Sequence, residues 1–96
     1  MKLKLVDTYV FNFEEKNILI RYEVFVDANK SHNDIAKILV TQESPGSTDP
    51  ITLLDIEDIE GAGEYKGYKL PTNPLRVEHA SEYCSALNRK NYGKDF

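Results

Sequence analysis

Cysteine occurs once in this chain, at Cys84. It cannot cross-link its own chain, and small secreted domains usually need such staples, so a reducing, cytoplasmic setting is expected. Long hydrophobic runs are missing too: apolar residues come only a few at a time, too few to span a bilayer. The start, MKLKLVDTYVF, alternates lysine with apolar residues instead of building a signal-peptide core. The formal glycosylation acceptor Asn29-Lys30-Ser31 therefore has no route to its modification. Histidine is confined to His32 and His79, and no further histidine or cysteine stands at ligand spacing from either, which argues against structural zinc. Gly61, Gly63 and Gly67 do not form a G-x-x-x-x-G-K-S/T loop, and the acids around them would repel phosphate, so they read as turn residues. His79 and Cys84 stand five apart, where helical side chains point to different faces. No catalytic group, metal or cofactor is expected, and the chain does not read as an enzyme.

What is present is an ordinary globular composition. Of 96 residues, 41% are hydrophobic and 29% charged, with no polar or low-complexity tract that would argue for disorder. Residues 1–96 are expected to form a single domain, large enough for one core but with little room for a deep cleft.

Between Lys2 and Phe13 the residues Leu3, Leu5, Tyr9, Phe11 and Phe13 alternate with mostly polar ones, the period of a half-buried strand. Asp7 interrupts that face, which requires either an edge position or a bulge around Val6 and Asp7. After Glu14-Glu15-Lys16-Asn17, Ile18, Ile20, Tyr22, Val24 and Val26 alternate in the same way, giving an antiparallel hairpin. Ser31, three residues before Asp34, then approximates a capping box, and Ile35, Ile38 and Leu39 recur at helical spacing. A first helix running to about Gln42 is predicted. ESPGSTDP, from Glu43 to Pro50, is a loop. Ile51 to Glu60 could be a short helix framed by Asp49, Pro50 and Gly61, but its β-branched residues and acid-rich alternation favour a strand. Gly61-Ala62-Gly63 would turn the chain and Tyr65 to Leu70 return as a fourth strand. Asn73 and Pro74 would open a second helix with Val77, Ala80, Tyr83, Cys84 and Leu87 on one face, ending by Asn91 or Gly93. The expected fold is α+β: a four-stranded, mainly antiparallel sheet with two helices in the order ββαββα.

Charge is unevenly spread. The window Asp49 to Glu64 holds six acids and no base, Met1 to Thr48 is nearly balanced, and Tyr65 to Phe96 carries three acids and six bases. A field of this kind steers partners more readily than it performs chemistry. On a strand, Asp55 and Glu57 share one face and Asp58 and Glu60 the other. These four with Glu64 are the candidate partner-binding residues, either a solvated face that discourages edge pairing or a surface that meets a basic groove. Asp27 to Asn33 places oxygen-bearing side chains at alternate positions like half a calcium loop, but His32 and Ile38 replace the required glycine and glutamate. A strand exit and helix cap is the stronger reading there. Tyr65, Lys66, Tyr68 and Lys69, with Arg89 and Lys90, interleave aromatics with bases, a pattern suited to single-stranded nucleic acid. The overall pI near 5.1 weighs against it.

Tyr22-Glu23-Val24-Phe25-Val26-Asp27-Ala28 leading into Asp34-Ile35-Ala36-Lys37-Ile38, with an acidic strand afterwards, resembles small inhibitor proteins of phages and mobile elements, including anti-CRISPR-type proteins. That resemblance implies a non-enzymatic protein-binding module that blocks a host defence or nucleic-acid enzyme by occupying its surface. The partner expected is a protein with a basic surface. A nucleic-acid accessory role is the alternative. No membrane contact is expected, and the chain would be a monomer or a homodimer.

Overall fold

The computed structural model describes residues 2–30, 32–46, 48–57, 64–65, 68–69 and 76–94. The first hairpin forms as its alternation requires. Strand β1 (Leu3–Phe13) and strand β2 (Ile18–Asp27) run antiparallel, joined by a 3-10 turn over Glu14–Lys16. Asn17 closes that turn at φ 53, a left-handed conformation asparagine tolerates better than most residues. The register shifts between Leu5 and Asp7, so of the two readings open for Asp7 the bulge is present. Its effect is to reverse faces. Leu5 lies opposite Phe25 and Leu3 opposite Asp27, whereas Tyr9 and Phe11 lie opposite the core residues Tyr22 and Ile20.

The first predicted helix does not exist. Lys37–Glu43 is instead strand β3, antiparallel to β2, and Ile51–Glu57 is strand β4, antiparallel to β3. The helical spacing of Ile35, Ile38 and Leu39 has another cause. Ile35 enters the core from the connection before the strand, and Ile38 and Val40 then alternate into it. β-Branched Ile38, Val40 and Thr41 suit the pleated backbone better than a helix. The sheet order is β1-β2-β3-β4, a meander with β1 and β4 at its edges.

Strand β5 (Glu64–Tyr65) and strand β6 (Tyr68–Lys69) pair in a separate two-stranded sheet, so the return strand predicted over Tyr65 to Leu70 does not join the main sheet. The predicted turn at Gly61-Ala62-Gly63 lies outside the described residues, as do Asn73 and Pro74, but the helix predicted to open there begins later, since Arg76 is extended and bridges Asp34. After a 3-10 turn over Val77–His79 comes helix α1 (Ala80–Tyr92). The observed architecture is α+β, an antiparallel four-stranded sheet with one described helix in place of the ββαββα order.

One face of the sheet meets α1. Ile20, Tyr22, Val24, Ile38 and Val40 pack with Ile35, Ala80, Tyr83, Cys84 and Leu87, flanked by Tyr9, Phe11, Ile18, Val77 and Tyr92. Each fully buried aliphatic side chain contributes roughly 1.5–3 kcal/mol. Of the predicted apolar face, Ala80, Tyr83, Cys84 and Leu87 are the buried face of α1, while Val77 precedes the helix in the 3-10 turn. Gly93 ends the helix in a left-handed conformation (φ 72) that frees its N–H to bond the Arg89 carbonyl at 2.7 Å.

Candidate partner-binding surface

The acids singled out by sequence begin on β4. Because β4 is an edge strand, one of its sides is unpaired among the described residues. It opens with two exposed apolar residues, Ile51 (55% exposed) and Leu53 (36%), and continues into Asp55 and Glu57. The register sets Asp55 opposite Leu39 and Glu57 opposite Lys37. Side chains alternate, so Asp55, opposite Leu39, occupies the face remote from the core residues Ile38 and Val40.

That face is charged by pairs. Lys37 Nζ stands 3.2 Å from the Asp55 carboxylate, and Arg21 reaches Glu43 at 3.4 Å. The Arg21–Glu43 pair is exposed and contributes at most about 1 kcal/mol, the Lys37 side chain is largely covered, and each pair offsets a charge a partner would otherwise meet in full. Asp55 is therefore partly neutralised within its own sheet. Asp58 and Glu60 lie outside the described residues. Glu64 belongs to the small sheet, where it stands opposite Lys69, and Tyr65 stands opposite Tyr68. Asp55 and Glu57 thus belong to one strand, while Glu64 belongs to a different sheet.

The remaining chemistry-bearing groups have structural duties. Asp27 Oδ1 accepts the Asn29 amide at 2.9 Å, closing the turn after β2. Asp7, which interrupts the apolar face of β1, is satisfied by the Tyr9 hydroxyl at 2.7 Å and the Thr8 amide at 3.1 Å. Burial and the Asp7 carboxylate both raise the Tyr9 phenol far above its ordinary range. Cys84 is fully buried, and burial first, then the negative charge of Asp7, pushes its thiol up to about 12. A thiol held protonated in a core packs as a small hydrophobe and does not react. His79 lies outside that core, 3.5 Å from the Glu78 carboxylate. Among the described residues no cluster of histidine, cysteine, aspartate and glutamate could hold a metal ion. A cavity of about 170 Å³ lined by Asn33, Arg76 and Glu78 is smaller than a typical ligand pocket. No helix among the described residues is long and apolar enough to cross a membrane.

Two features were not anticipated from sequence. One is the exposed apolar set on the edge strands, Leu3, Leu5, Val6 and Val10 on β1 with Ile51 and Leu53 on β4. Its signal was present: once Leu3 and Leu5 are read beyond a bulge, they leave the core face. The other is a clasp between Lys94, just past α1, and the β1–β2 turn. Lys94 Nζ bonds Glu15 at 2.6 Å and lies 5.1 Å from the ring centre of Phe13, whose ring meets Phe11 and Tyr92. Nothing in the local sequence pattern joins residues so far apart. Comparison with protein-family models, with curated proteins and with solved structures found no match to this chain.

Proposed function

We propose that this protein is a non-enzymatic protein-binding module, in its sharpest form an inhibitor that occludes a basic or nucleic-acid-binding surface of a host protein, in the manner of small phage and mobile-element inhibitors. The observation that carries the reading is the edge position of β4. An edge strand offers a partner both its backbone and its side chains. Here the exposed apolar pair Ile51 and Leu53 leads directly into Asp55 and Glu57, and onward in sequence to Asp58 and Glu60. Apolar contact supplies affinity at one end of such a strand, and the acids supply orientation and speed of encounter at the other. Glu64, the fifth candidate acid, belongs to the small hairpin and not to β4.

The reading predicts that binding to a basic partner weakens with salt, because surface charges are screened over about 8 Å at physiological ionic strength. Binding that resists both high salt and the combined variant Asp55→Asn, Glu57→Gln, Asp58→Asn and Glu60→Gln would falsify it.

A nucleic-acid accessory role is the second reading, drawing on Tyr65, Lys66, Tyr68, Lys69, Arg89 and Lys90. The in-register backbone pairing of Tyr65 with Tyr68 in the β5–β6 hairpin favours it. A gel shift with single-stranded DNA and RNA at low salt separates the two. No shift at roughly tens of micromolar protein removes the second reading.

A further inference from the structure

We draw no further inference here: the strongest candidate, the outer edge of β1 with its exposed Leu3, Leu5, Val6 and Val10, is a strand edge left open among the described residues, and nothing in the structure shows what covers it.

Discussion

Asn88 shows how much a single residue decides in this small core. It is fully buried on α1, accepts the Tyr22 hydroxyl at 2.6 Å through Oδ1 and donates Nδ2 to the Lys94 carbonyl at 2.7 Å. A carbonyl can only accept, so the Lys94 bond fixes the amide's orientation and leaves Oδ1 to the phenol. Tyr22→Phe would strand that oxygen in the core. We expect a loss of about 1–3 kcal/mol, read from urea denaturation midpoints at unchanged m. Glu15 acts through pH instead. The hydrogen bond from Lys94, then its charge, holds the Glu15 carboxyl below its ordinary value of 4.5. A carboxyl depressed in the folded state stabilises the fold above its unfolded value and loses that contribution as pH falls through the folded one. The wild type should therefore lose thermal stability below about pH 4.5 more steeply than Glu15→Gln, and high salt should shrink the difference because the pair is exposed. Neither Asn88 nor Glu15 stood out in the sequence. An asparagine in an amphipathic helix and a glutamate in a polar turn are commonplace, and partners distant in the chain give them their roles.

At the scale of elements, legibility followed the strength of the local pattern. The β1 and β2 hairpin and the core face of α1 each rest on a periodicity long enough to exclude the alternative, while the bulge was one of two readings that Asp7 left open. β3 failed because Ile35, Ile38 and Leu39 satisfy a helical template by coincidence, and short apolar runs do not separate helix from strand. Tertiary burial settled it, with Ile38 and Val40 alternating against α1. Helix α1 in turn depends on its packed face and its stop. Leu87→Ala, at a fully buried position, should cost about 2–5 kcal/mol. Gly93→Ala should cost about 1 kcal/mol, for a different reason: nothing lies within 4 Å of the added carbon, but φ 72 strains any residue with a Cβ. Thermal melts of the two variants, each with a wild-type circular dichroism spectrum at low temperature, check both values.

For the whole molecule, the acid-rich middle of the sequence is carried toward the far edge of the sheet by β4. That much was legible, since the strand reading of the first part of Asp49 to Glu64 matches β4, which carries Asp55. The offsetting of Asp55 by Lys37 was not, because the strand that supplies Lys37 was read as a helix. The central claim is that this edge meets a basic surface on another protein. Its most direct test is affinity capture from the source cell, or from the host cell if the source is a virus, read by mass spectrometry. The wild type is compared with the variant neutralised at Asp55, Glu57, Asp58 and Glu60. The account predicts a stoichiometric protein partner that the wild type retains at low salt, releases at high salt, and the variant does not hold. A partner held equally by both proteins, or recovery of the chain alone in both, would contradict it.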